Sequence, residues 1–180
     1  MHITVMILGV VVAIVTWYSR FRMIGQVAKD AKGLADRLGN APRKFAFMRR
    51  SRQTGLKAVD DPTEAAAILM VLVSGARTPE DLSEQSRTVF TEEVTALLDL
   101  SQAEADALLT HAVWMVRAVD LPLPVARRMT KVIVKTPGIG SKELIDLDSI
   151  LVIMSEANGP SELGGRELLQ VYRDVAGLSV

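Results

Sequence analysis

An apolar run at the start of the chain constrains its fold more than any other feature. Residues 1–18 are mostly apolar, and two aromatic and two basic residues close the run: Trp17, Tyr18, Arg20 and Arg22. A helix of this length measures about 27 Å, close to the ~30 Å hydrocarbon core of a bilayer. Aromatic rings favour the headgroup boundary, and Lys and Arg stay on the cytoplasmic side. The run therefore predicts a transmembrane anchor with an outside N-terminus and a cytoplasmic remainder.

A cleaved secretory signal is one alternative to this anchor, and a buried core helix is another. A secretory signal needs a basic start and a small-residue cleavage site. This chain starts with Met1-His2, and no such site follows Tyr18. We therefore adopt the retained anchor, and the chain after it is long enough for one domain with a hydrophobic core.

The charges of the chain are distributed very unevenly. Residues 19–57 contain eleven Lys and Arg but two Asp and Glu, whereas residues 58–180 contain ten Lys and Arg against nineteen acids. The formal charges of these segments are thus +9 and −9. The basic linker at the end of the first segment, residues 43–57, either marks the retained side of the membrane or lies on anionic lipid headgroups, and the sequence leaves both interpretations open.

The composition excludes several kinds of reactive site. The chain has no cysteine, which rules out disulfides and thiolate metal sites, and its histidines are His2 and His111. His111 is expected in the middle of a helix, with no Ser, Cys or second His positioned to make it a base or a ligand. We interpret it as a packed or surface residue, and we expect neither enzymatic activity nor a cofactor.

Capping signals divide the rest of the chain into helices. Helical spacing of apolar residues over 24–38 predicts that the anchor continues as a cytoplasmic helix, followed by a basic linker up to residue 57. Three sequence patterns typical of helix starts then follow: Asp61-Pro62-Thr63-Glu64, Thr78-Pro79-Glu80-Asp81 and Ser101-Gln102-Ala103-Glu104. The first three helices should reach about residues 73, 98 and 116. Turns at 120–124, 137–141 and 158–161 predict three more, the fifth capped by Ser141 and ending near Ala157. Six helices without a strand indicate an all-α bundle over 58–180.

Part of this pattern occurs twice. The apolar stretches 68–72 and 150–154 are each followed by a glycine turn, at Gly75 and Gly159, and then by a second helix. The repeat suggests two related helical hairpins. It resembles the TerB-like tellurite-resistance family over about residues 61–180. With the anchor in front, the chain is also similar to the front half of membrane-anchored DnaJ-type co-chaperones, although it lacks the His-Pro-Asp loop of a J domain.

The resemblance implies a bacterial inner-membrane location and a tellurite or stress response. Family members with Asp-Gly turns have been considered metal-binding, but here the matching positions are Ser74-Gly75 and Asn158-Gly159. We therefore expect no metal, with Asn158, Glu162 and Glu167 as weak candidate ligands, because a calcium site needs six or more oxygens.

Two further features could contact a partner. Pro137-Gly138-Ile139-Gly140 is similar to a helix-hairpin-helix DNA-binding turn, but the domain is acidic, so we expect a plain interhelical turn and no nucleic acid. Trp114 could anchor a protein partner, although large aromatic residues usually lie in the core, and we expect it there.

The sequence thus predicts a non-enzymatic, single-pass membrane protein with an acidic helical domain. This domain would act as an adaptor for an unidentified protein partner. Metal-ion binding of the TerB-like type is the alternative. The expected division is an anchor at 1–18, a basic juxtamembrane segment at 19–57 and a helical domain at 58–180.

Overall fold

The computed structural model describes residues 51, 54–98, 100–158 and 164–179. In these ranges the chain forms two 3-10 turns, at Leu56–Ala58 and Pro79–Asp81, and no strand. It also forms six α-helices: α1 Pro62–Ser74, α2 Glu84–Leu98, α3 Gln102–Val116, α4 Pro122–Val134, α5 Ser141–Ala157 and α6 Gly165–Ala176. The all-α prediction is therefore confirmed for this part of the chain.

The predicted anchor at 1–18 and the juxtamembrane helix at 24–38 lie outside the described residues. The same holds for Trp17, Tyr18, Arg20 and Arg22, so their membrane-interface role stays a prediction. None of the helices in the described ranges has the length and apolar character needed to cross a bilayer.

Helix α1 is the centre of the bundle. Asp61 caps it, since the Asp61 carboxylate accepts hydrogen bonds from the backbone N–H of Thr63 at 2.8 Å and of Glu64 at 3.1 Å. Gly75 ends it in the left-handed conformation, at a φ of 76°. Every residue from 64 to 74 except Ala66 is buried. A helix that is apolar on all sides needs neighbours on all sides, and α1 packs against each of the other five helices.

The outer helices surround α1 in the order α4, α6, α5, α2, α3, each packed on the next. Of the two predicted hairpins, α5 and α6 pack on each other, whereas α1 and α2 contact each other only slightly. The two pairs meet mainly through α1 and α5. Helices α3 and α4 do not pack extensively on each other, and the chain preceding α1 contacts both. Ser51 lies beside His111 of α3, and the Arg128 guanidinium of α4 donates to the carbonyls of Leu56, at 3.3 Å, and Lys57.

The second predicted helix start is wrong by several residues. Thr78 to Asp81 form only a 3-10 turn, and α2 begins at Glu84. The reason is Leu82, which enters the core in an extended conformation at 4% exposure. Ser83 then provides the cap, because its hydroxyl oxygen accepts from the backbone N–H of Ser86 at 3.0 Å.

The predicted boundaries of α3 and α5 agree closely with the structure, whereas α6 begins at Gly165, a few residues after the predicted turn. At α3, the Glu104 carboxylate accepts from the Ser101 N–H at 2.8 Å, as a capping box requires. Helix α5 starts at Ser141, but the predicted cap is one residue off, because Gly140 is the N-cap and the Glu143 carboxylate accepts from its N–H at 2.8 Å. The Pro137-Gly138-Ile139-Gly140 segment is the turn between α4 and α5.

Candidate functional site

A buried pair of polar side chains joins α1 to α3. The Nε2 atom of His111 lies 2.7 Å from Oε1 of Glu64, and the exposed fractions of these residues are 0% and 1%. Within the described residues, Oε2 of Glu64 and Nδ1 of His111 have no hydrogen-bond partner. Removing one member of such a pair would leave the other polar side chain unpaired in an apolar core, which strongly destabilises a fold. We call Glu64 and His111 the buried pair.

The buried pair corrects the expectation for Glu64. Its position three residues after Asp61 predicted a capping-box carboxylate, but the side chain turns into the core. The helix start is already satisfied by the Asp61 carboxylate, which accepts from two backbone N–H groups. Because α1 is surrounded on all sides, its Glu64 side chain meets α3, where the Nε2 atom of His111 lies within hydrogen-bond distance.

Ser51 adds a hydroxyl group beside the pair, but the three residues do not form a catalytic relay. The Ser51 hydroxyl lies 3.4 Å from Nε2 of His111, the same nitrogen that contacts Glu64. In a Ser-His-acid triad the acid and the serine contact opposite ring nitrogens of the histidine. The acid orients the imidazole, and the serine hydroxyl gives its proton to the other nitrogen. Ser51 is also 1% exposed. This geometry favours a structural role.

Trp114 lies at the surface of α3, so the expected core position is wrong. Its exposed fraction is 39%, and its ring stacks on His111 with centroids 6.5 Å apart and planes inclined by 21°. The Arg117 guanidinium carbon lies 5.9 Å from the ring centroid, within range for a cation–π contact. Buried His111 thus supports an exposed Trp114 from below.

The candidate metal ligand Asn158 is already hydrogen-bonded to four protein groups. The Asn158 carboxamide oxygen accepts from the Ser83 N–H at 2.7 Å and the Ser86 hydroxyl at 3.1 Å. Its nitrogen donates to the carbonyls of Ser74, at 2.9 Å, and Asp81, at 3.0 Å. Glu167 is exposed in the first turn of α6, and Glu162 lies outside the described residues. Among the described residues, no three His, Cys, Asp or Glu side chains are grouped to hold a metal ion.

An acid with a raised pKa lies on α2. Burial, and to a smaller extent the charge of Glu92, raises the pKa of the half-buried Glu93 from its usual 4.5 to about 7. Folded protein therefore holds this proton up to a higher pH than unfolded protein does. The stability from this proton is fully present below about pH 4.5 and is lost as the pH rises through about 7.

Replacing Glu93 by glutamine is expected to remove this pH dependence. Near pH 8 the Glu93→Gln variant should be more stable than the wild type by about 1–3 kcal/mol, because it buries no charge at that position. Urea unfolding near pH 5 and near pH 8 measures the difference. Glu92→Gln is the matched control, since this exposed neighbour contributes less to the Glu93 pKa. Equal pH profiles for Glu93→Gln and the wild type would contradict the assignment.

Comparison with protein-family models, with curated proteins and with solved structures gives no match for this chain. The TerB-like resemblance therefore stays a prediction from the repeated helix and turn pattern.

Proposed function

We propose that this protein is a non-enzymatic membrane-anchored adaptor, and that its helical domain binds another protein through a surface centred on Trp114. The observation that carries the proposal is the exposed Trp114 ring itself. Tryptophan is the residue type most enriched at the energetic centres of protein interfaces, and arginine is also enriched there. Here both occur together, with Arg117 placed over the Trp114 ring.

The support beneath Trp114 favours binding because it limits the motion of the ring. His111 stacks against the indole and is itself fixed by Glu64. An aromatic side chain that is already held in one orientation loses little conformational entropy when a partner covers it. The buried pair would therefore act as a positioning device for the contact residue.

A non-enzymatic role is supported by the geometry around His111. The Ser51 hydroxyl and the Glu64 carboxyl group both contact one ring nitrogen of His111, and all three residues are buried. No observation in the described part of the chain favours the metal-binding alternative. Its candidate Asn158 already uses both polar atoms of its carboxamide.

The proposal predicts that Trp114→Ala abolishes capture of a specific partner. Loss of an interface tryptophan typically weakens binding by at least about 30-fold, or 2 kcal/mol. The measurement is quantitative mass spectrometry of proteins that co-purify with the full chain from its native membranes after mild cross-linking. A partner that is enriched by the wild type and lost from Trp114→Ala is the expected result.

Ile145→Ala provides the matched control. Ile145 is a 53% exposed apolar residue on α5, so its loss tests whether any surface apolar side chain would have the same effect. Circular dichroism establishes that both variants are folded. If Trp114→Ala retains every protein that the wild type captures, the Trp114 surface is not the binding site.

A further inference from the structure

The outward face of α4 combines basic and apolar side chains in an otherwise acidic domain. A shallow surface depression of about 550 Å³ on this face is lined by Leu123, Pro124, Arg127, Arg128 and Lys131. The opposite face of α4 is buried through Ala126, Met129, Thr130 and Ile133. The basic residues thus share one side of the helix because they recur at intervals of three and four residues. We call this surface the α4 face.

The charge of the α4 face is opposite to that of the rest of the domain. Residues 121–142 contain five Lys and Arg and no acid, whereas the rest of 58–180 contains five Lys and Arg against nineteen acids. An acid on α6 lies close enough to interact with this face. Hydrogen bonds from Ser179 and Gln170, and then the charge of Arg127, hold the pKa of Asp174 below its usual value.

Apolar residues beside these charges indicate what kind of surface would bind. Leu121 and Leu123, at the start of α4, are 69% and 36% exposed. Leucine side chains at the edge of a basic helix face can insert between lipid headgroups while Lys and Arg contact the phosphates. Nucleic acid offers phosphates too, but it provides no apolar layer to cover the leucines.

The α4 face also adjoins the basic segment of the chain. Arg128 binds the carbonyls of Leu56 and Lys57, so the C-terminal end of this segment is held directly against α4. Residues 43–57 contain six Lys and Arg. The described end of this basic stretch, at Leu56 and Lys57, therefore lies against the basic helix α4.

We propose that the α4 face docks on an anionic phospholipid membrane, with Leu121 and Leu123 at the level of the headgroups and Arg127 and Lys131 on the lipid phosphates. This surface is additional to the Trp114 site of the proposed function and does not depend on it. It would hold the helical domain against the bilayer in a fixed orientation. An anchor alone would leave the domain free to rotate.

The test uses the absence of cysteine from the chain, which allows a single label. Full-length Leu123→Cys carries an environment-sensitive fluorophore and is reconstituted into vesicles of phosphatidylglycerol and phosphatidylcholine, or of phosphatidylcholine alone. Quenching by acrylamide in the water phase reports whether the label is covered. Ala96→Cys, an exposed position on α2, is the matched control.

Docking predicts that phosphatidylglycerol protects the label at 123 from quenching at least threefold and leaves the label at 96 accessible. The protection should disappear in high salt and in Arg127→Gln/Lys131→Gln, because each basic residue near an anionic surface strengthens binding about fivefold. Arg128 is left intact, since it also binds Leu56 and Lys57. Circular dichroism establishes that the double variant is folded.

Equal quenching of the label at 123 in both kinds of vesicle would overturn the proposal. Protection by added duplex DNA but not by phosphatidylglycerol would also overturn it and would assign the face to nucleic acid. Carbonate extraction of the same vesicles reports separately whether the chain is inserted. A chain that is not inserted in the bilayer is therefore distinguishable from an inserted chain whose α4 face does not dock. Co-purification with Trp114→Ala tests the adaptor role independently.

Discussion

Replacing His111 by leucine is expected to lower the free energy of unfolding by about 3–5 kcal/mol. Leucine fills a similar volume, so the loss comes from the Glu64 carboxyl group, which is 1% exposed and would be left without its 2.7 Å partner. Chemical unfolding of the full chain in mild detergent, followed by circular dichroism, measures the change. A carboxyl group stranded in an apolar core is among the most destabilising defects that one substitution can create.

The double variant Glu64→Leu/His111→Leu removes both polar groups but keeps side chains of similar volume, so it tests the effect of polarity apart from that of packing. Because it removes both polar groups, it should recover stability to within about 1–2 kcal/mol of the wild type. Arg173→Leu is a useful comparison, since it breaks the partly exposed contact of Arg173 with Asp148, at 2.8 and 2.9 Å. That contact should contribute only about 0–1 kcal/mol. A double variant as unstable as the sum of the two single variants would refute this account.

Asn158→Ala is expected to destabilise the fold by about 2–4 kcal/mol, because it removes four hydrogen bonds that each contribute roughly 0.5–1.5 kcal/mol. These bonds connect the end of α5 to the end of α1, to the Pro79–Asp81 turn and to the start of α2. The same unfolding measurement detects the loss. Both hairpins should be affected together, since Asn158 links one to the other.

Asn158→Asp tests which half of the carboxamide matters. A carboxylate keeps the acceptor for the Ser83 N–H but has no donor for the carbonyls of Ser74 and Asp81. It would face those two carbonyl oxygens with a negative charge, so we expect a loss at least as large as that of Asn158→Ala. Wild-type stability in Asn158→Asp would show that the two donated bonds contribute nothing.

The sequence predicted helix starts well because caps are local. Asp61 and Ser101 bind backbone N–H groups two or three residues away, so the signal and the structure occupy the same short segment. Thr78 misled the prediction although the Asp81 carboxylate does accept from its backbone N–H, at 2.7 Å. The local pattern was present, but burial of Leu82 ended the turn after three residues, and burial depends on the whole bundle.

The candidate site was largely invisible in the sequence because its contacts join distant residues. Glu64 and His111 are 47 residues apart, and Asn158 reaches partners 72 to 84 residues away. One signal could have suggested the buried pair. Glu64 is followed by nine apolar residues, and a helix that is apolar on all sides is surrounded by protein, so a polar side chain in its first turn is expected to need a buried partner. Trp114 gave no such signal, because its neighbours Val113, Met115 and Val116 fit a core or a surface equally well.

The central position of α1 has a consequence for how the protein is made. Of the six helices, α1 leaves the ribosome first, but α6, one of the helices that cover it, follows only after residues 75–164 have been synthesised. At ribosomal rates of about 5–20 residues per second, this delay lasts on the order of ten seconds. During that time the most apolar helix of the domain lacks part of its cover. Safe biosynthesis of this chain therefore depends on protecting one short segment of the nascent polypeptide.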